Sequence, residues 1–457
     1  MEWYPCSPTD GLAGTQAATA FTCAVVQVPL DYDDPGGIVI DIALKRRTHT
    51  GGSPLGALFV NPGGPGGSGV ALVESLDHYV STEVQQSYDV IGFDPRGVGA
   101  SMAITCPASD GDASGADLAE NATWSLDDGR ELPPSIDPLV GADIGAEVAD
   151  DRADGHVGAA ADPDADQQRA EVSRRYTDLR RRCEAGTDPV ALLDHVDTES
   201  AARDLDVLRA AAGYQVLNYL GYSYGTFLGT TYADLFPSRV GRFVLDGAMD
   251  PSLSLPATRL DQAHAFERAL GSYVEYCLSA DGCPLTGGSQ AGVQQVRDLI
   301  SSASQSPLAS SDPQRQVHGT ELVLVIKRML YAPEYWAVLT TALAQAVSEA
   351  DGSTFALLHD QLTSGNQGLA GAYNAVTCQD YPASGSAQEW TEQYHELQAA
   401  SPTFGESLAW SEAGCAAWGH SGTRVPRTGA RPGCCTSPCG GHDGRPHYSL
   451  RVVRLPG

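Results

Sequence analysis

Along the first half of the chain apolar residues alternate with polar ones or gather in short blocks, and farther along they recur at helical spacing. "CAVVQVPLDYDDPGGIVIDIALKRR" alternates on both sides of a turn at Asp33 to Gly37 and predicts a β-hairpin. "GALFV" and "YDVIGF" are short blocks of the kind that a parallel sheet buries on both faces. In "DTESAARDLDVLRAAAG", Ala201, Leu205 and Leu208 form a helical stripe, with Thr198 as the expected cap and Gly213 as the stop. A strand at 215–220, a tight turn at Ser223, a helix to about Phe236 and a strand "GRFVLDG" then make a βαβ unit, the building block of parallel sheets. From about Pro256 to Tyr381 the spacing becomes helical throughout and strands are not expected. The expected architecture is an α/β core over residues 1–255, a helical lobe over 256–381 and a return to the core over 382–457.

Charge narrows the choice of partner. The 457 residues carry 28 basic and 57 acidic side chains, a net charge of −29, which repels nucleic-acid phosphates and anionic lipid headgroups. Sixteen acidic and three basic residues fall between 107 and 169, where large apolar residues are few, so this stretch is expected to be a solvated insertion. No apolar run approaches the roughly 18 residues of a membrane span. The first residues, "MEWYPCSPTDG", lack the basic and apolar stretches of a secretory leader. Cys6, Cys23, Cys106, Cys183, Cys277, Cys283, Cys378 and Cys415 are dispersed without metal-binding spacing, as suits disulfides in an oxidising compartment; buried free thiols are the alternative. The expectation is an exported protein whose leader precedes the first residue given.

Chemistry concentrates at two glycine-rich turns. Gly221-Tyr222-Ser223-Tyr224-Gly225 satisfies G-x-S-x-G between an apolar strand and a helix, the context in which a serine hydroxyl is pushed out above a sheet. The pentamer alone is weak in a glycine-rich chain; the strand and helix around it give it weight. Ser223 is the expected nucleophile, and the backbone N–H of Tyr224 an oxyanion donor at the start of the helix. "NPGGPGGSG" (Asn61 to Gly69) follows an upstream strand where a second donor is needed, and Gly64 is the expected donor. A phosphate loop is the rival, but no Gly-Lys-Ser/Thr follows. Neither cofactor nor metal is expected.

Together with "VNPGGPGGSG", "YDVIGFDPRGVGAS" and "DTESAARDLDVLRAAAG", the stretches "LGYSYGTFLGTTYADLFPSRVGRFVLDGAMDP" and "VTCQDYP…CAAW" resemble the tripeptidyl aminopeptidase group of secreted serine peptidases, relatives of the proline iminopeptidases. The resemblance spans Trp3 to about Trp418. It implies an α/β-hydrolase fold, a mostly parallel sheet with an inserted helical cap, and release of short peptides from free N-termini through an acyl-enzyme. It also implies disulfides, paired as Cys6 with Cys23, Cys106 with Cys183, Cys277 with Cys283 and Cys378 with Cys415. Glu267, Glu275 and Asp380 are carboxylates that could meet a substrate ammonium, although an ordinary solvated face is the commoner role for each.

The triad's acid and base remain unassigned. In this group the acid lies in a G-x-x-D-P-x-T-P loop with the histidine beyond it, and neither motif is present. Asp246 and Asp250 could serve as an acid by position; His420 and His442 are poor matches for the base. The tail after Trp418 crowds three cysteines into six positions and breaks the earlier pattern. Read from the second base of each codon, "GHDGRPHYSLRVV" permits Gly-Thr-Thr-Gly-Asp-Pro-Thr-Thr-Pro-Tyr-Glu-Trp, and from the third base "GCCTSPC" permits Val-Leu-Tyr-Leu-Pro-Val. The expectation is a frameshift after about residue 418, an incomplete C-terminal part of the core, and a chain that is inactive and poorly stable as written. The alternatives are a carboxylesterase of the same fold and a relative that binds peptides without cutting them.

Overall fold

Each expected core strand forms, and the strands join in a single mixed sheet. The computed structural model describes residues 1–7, 12, 21–107, 165–363 and 367–424; positions 108–164 of the acidic insertion and the tail after Arg424 lie outside the described residues. Strands β1 (Tyr4–Pro5), β2 (Phe21–Pro29), β3 (Val39–Arg47), β4 (Ala57–Asn61), β5 (Asp89–Phe93), β6 (Leu217–Tyr222) and β7 (Val240–Asp246) take the order β1-β2-β3-β5-β4-β6-β7. The β2–β3 hairpin is antiparallel, with Cys23 opposite Lys45 and Val28 opposite Ile40. From β5 across β4 and β6 to β7 every pairing is parallel.

Helices α1 (Gly69–Glu74), α2 (Thr82–Ser87), α3 (Ala165–Gly186), α4 (Thr198–Ala211) and α5 (Tyr224–Leu235) accompany this sheet. Alternation decides which face each residue serves: Ala57 and Phe59 join the core under α4 and α5, while Leu58 and Val60 pack with Val70, Leu72 and Val73 of α1. Asp197, not Thr198, caps α4, accepting from the Ser200 N–H at 2.8 Å. The helix α3 was not expected, because Cys183 is its one buried residue and arginines dominate its sequence.

The second lobe has its own apolar core. It is built from α6 (Leu255–Ser279), α7 (Ser289–Gln305), α8 (Gly319–Met329), α9 (Trp336–Glu349) and α10 (Ser353–Thr363), with Tyr273, Leu322, Ile326, Leu339 and Phe355 fully buried. A two-stranded ribbon, β8 (Leu308–Ala309) with β9 (Gln316–Val317), interrupts the helices, where only helices were expected. From this lobe α11 (Gln367–Asp380) runs back onto the main core, burying Ala375 and Val376 there. Next, α12 (Ala387–Ala400) packs on α6 through Leu397 and Ala263, and α13 (Ser411–Trp418) lies against α3. All four implied disulfides form: Cys6–Cys23, Cys106–Cys183, Cys277–Cys283 and Cys378–Cys415.

One strand departs from the rest. Every residue of β4 and β5 is buried, as central parallel strands require, yet no residue of β7 is. Its Phe243 and Leu245 lean on the core, but Arg242, Val244 and Asp246 on its other face are exposed, and its outer edge pairs with no strand among the described residues. An edge strand left unpaired in this way is what sheets normally cover or pair.

Candidate active site

Ser223 stands where β6 ends and α5 begins, with φ 50° and ψ −120°. A non-glycine residue rarely accepts this backbone, and it turns the serine outward at the sheet's C-terminal edge. Two bonds hold the turn: the Ser223 N–H donates to the Asp246 carbonyl at 2.9 Å, and the Ser223 carbonyl accepts from the Thr226 N–H at 2.9 Å. The flanking glycines are required by close approach. A Cβ on Gly221 would lie 2.4 Å from the Gly225 carbonyl oxygen, and one on Gly225 would lie 2.8 Å from the Asn61 carbonyl oxygen. This strand–turn–helix arrangement has the geometry of a nucleophile elbow.

The second glycine-rich turn lies directly against the elbow. Gly63, at φ 95°, comes so close that a Cβ there would sit 2.4 Å from the Tyr222 carbonyl oxygen and 3.0 Å from the Tyr224 nitrogen. Gly64 follows with φ 114°. As the first residue of α5, Tyr224 has no partner for its N–H within that helix. The structure thus packs Gly63 against Tyr222, Ser223 and Tyr224, with Gly64 next to it in the chain.

Several supporting residues were not legible beforehand. Asn61 is fully buried and its Oδ1 accepts from the Gly63 N–H at 2.9 Å, fixing the start of the loop. Asp94, at the end of β5, fixes the other end by accepting from Ser68 Oγ at 2.6 Å and from the Val70 and Ala100 N–H groups. Burial pushes the Asp94 carboxyl up against the pull of these hydrogen bonds. Asp94 and Ser68 both sit in motifs singled out from the sequence, so their presence was visible while their bond was not.

None of the three carboxylates named for an ammonium stands free at Ser223. Glu267 accepts from Ser401 Oγ at 2.6 Å and pairs with Arg297; burial raises its carboxyl, but these partners outweigh it and hold the group below its usual range. Glu275 is exposed and accepts from Ser289 Oγ at 3.3 Å. Asp380 is buried, with both carboxylate oxygens bonded to Thr198. Asp246 meets Ser223 through its backbone carbonyl, whereas the Asp250 carboxylate folds back to accept from the Ser252 N–H. The two ring nitrogens of His420 face Asp194 at 2.7 Å and Glu184 at 3.2 Å, and His442 lies outside the described residues. Ser223 Oγ hydrogen-bonds no imidazole among the described residues.

A family model described as the alpha/beta hydrolase fold matches residues 56–369, which takes in the elbow, the glycine loop and the helical lobe. The chain belongs to the α/β-hydrolase family. Among its relatives, the tripeptidyl aminopeptidase of Streptomyces coelicolor is 31% identical, with 92% of this chain and 70% of that protein covered. The serine protease Hip1 of Mycobacterium tuberculosis is 29% identical over 95% of this chain and 77% of its own. Carboxylesterase B of the same organism is 30% identical over 95% and 76%. This α/β-hydrolase is therefore a serine hydrolase by kinship, with peptidases and an esterase at similar distance.

Proposed function

We propose that the protein is an exported serine peptidase that releases tripeptides from free N-termini, with Ser223 as nucleophile and the Gly64 and Tyr224 amides as the oxyanion hole. The observation that carries this reading is the strained Ser223 backbone with Gly63 packed against it, since an unused turn has no physical reason to retain that conformation. Ser223 Oγ attacks the scissile carbonyl, the two amides receive the oxyanion, the amine departs with a proton, and water hydrolyses the acyl-enzyme. The relatives named tripeptidyl aminopeptidase and serine protease support peptides as substrates. Four disulfides support an oxidising destination.

The acid belongs, in this proposal, to sequence after about residue 418 read in another frame, with the histidine farther on. The outer edge of β7 supports it, because among the described residues that edge pairs with no strand. Sequencing the 3′ end of the gene tests the frame. Hydrolysis of a free tripeptide chromogenic amide, its N-blocked counterpart and a short acyl ester by the frame-restored protein tests the activity. Preference for the free amine supports the aminopeptidase, indifference to the block or cleavage of the ester alone supports the esterase, and binding without cleavage supports an inactive relative.

A further inference from the structure

Asp380 closes α11 and reaches across to the first turn of α4, where it accepts from the Thr198 N–H at 2.8 Å and from Thr198 Oγ1 at 2.5 Å. The same Thr198 hydroxyl bonds the Tyr224 phenol. All three residues are buried, Asp380 and Thr198 to 1% exposure, so water does not compete for these bonds. Tyr224 is the residue after Ser223, and its backbone N–H is one of the two proposed oxyanion donors. Two to three turns of helix before the Asp380 end, α11 meets the other donor segment: a Cβ on Gly66 would lie 2.9 Å from Leu369 Cδ1 and 3.2 Å from Ala372 Cβ. One helix thus braces the glycine loop directly and reaches Tyr224 through Thr198.

We propose that Asp380 is a positioning residue for the oxyanion hole, acting through Thr198 on Tyr224 while its own helix braces the glycine loop. The inference rests on the assignment of the Tyr224 and Gly64 amides as oxyanion donors. An ionised Asp380 accepts both Thr198 donors at once, and the Thr198 hydroxyl is left to accept from the Tyr224 phenol, so the chain of bonds has one direction. A protonated Asp380 gives up one acceptor site and releases that order. The charged and titratable groups around it are Asp197 at the cap of α4, Tyr224 on α5, the neighbouring Tyr381, and Arg424, which donates to the Asp380 carbonyl at 3.0 Å. Burial pushes the Asp380 carboxyl up to about 7, so the change falls in the neutral range.

The test is the Tyr224 amide signal in the 457-residue chain labelled with 15N-tyrosine, assigned by its loss in Tyr224→Phe. In the unaltered protein this signal should move with pH, with a midpoint near 7. Asp380→Asn should displace it and abolish the movement. Thr198→Val, which leaves Asp380 in place, should abolish the movement as well, and it serves alone where Asp380→Asn does not fold. A Tyr224 signal that ignores pH, or that titrates alike in either variant, overturns the positioning role. Hydrolysis by the frame-restored protein is read separately, so failure of the hydrolase reading and failure of this coupling give different results.

Discussion

Replacing Gly63 with alanine should separate backbone strain from damage to the oxyanion hole, given Gly213→Ala as its control. Both glycines have left-handed backbones, φ 95° and φ 86°. A side chain in such a conformation costs about 1–2 kcal/mol. At Gly213 nothing lies within 4 Å of the added carbon, so strain is the whole cost. At Gly63 the carbon would be 2.4 Å from the Tyr222 carbonyl oxygen, and the loop must retreat by about 1 Å to restore ordinary contact. A donor about 2.9 Å from the oxyanion would then stand near 3.9 Å, beyond hydrogen-bonding range. Loss of one such donor lowers turnover by roughly 10²–10³. The assay is the rate of covalent capture of Ser223 by a fluorophosphonate in the frame-restored protein, beside urea melts of both variants. Gly63→Ala should lose both stability and about two to three orders of magnitude in capture; Gly213→Ala should lose stability alone. Capture by Gly63→Ala at the unaltered rate would refute the placement of the glycine loop in the hole.

Three further outcomes follow from buried groups. Asp380 holds its proton in the folded state up to about 7, while the unfolded chain releases it near 3.8, so stability should fall as pH climbs through that window and level off above it. The loss is on the order of 4 kcal/mol, and Asp380→Asn should flatten that slope in melts taken across the window. Cys378 and Cys415 are 37 positions apart, a loop whose closure is worth about 4 kcal/mol in the chain-entropy account, and the paired serine variant should melt correspondingly earlier. Arg96, buried to 1%, holds Asp204 through two bonds of 2.7 and 2.6 Å, and Arg96→Met should cost about 3–5 kcal/mol in urea denaturation by leaving that buried carboxylate without its counter-charge, with, among the described residues, only the Tyr32 hydroxyl still donating to it.

How far the chain could be read depended on how local each signal was. The β2–β3 hairpin, the strands at Ala57–Asn61 and Asp89–Phe93 and the Ser223 turn were legible because period, block length and glycine spacing are written in consecutive residues. Disulfide partners were reached through family resemblance, since spacing leaves many pairings open. Helix α3 escaped because its stability comes from contact with α13 and from ion pairs such as Glu171 with Arg175, not from an apolar stripe. Thr198 and Asp197 are both good caps, and only the fold reveals that the Asp197 side chain takes the cap while the Thr198 hydroxyl turns to Asp380. That bond joins residues 182 positions apart, beyond any local pattern.

The most direct measurement is cleavage of a free tripeptide amide by the frame-restored protein and by its Ser223→Ala variant, with circular dichroism confirming that both fold. The account predicts steady release of the intact tripeptide by the unaltered enzyme and a fall of roughly 10⁴ to 10⁶ in the variant, with secondary structure unchanged. Turnover by Ser223→Ala close to that of the unaltered enzyme would contradict it, since the reaction would then belong to some group other than the serine at the elbow.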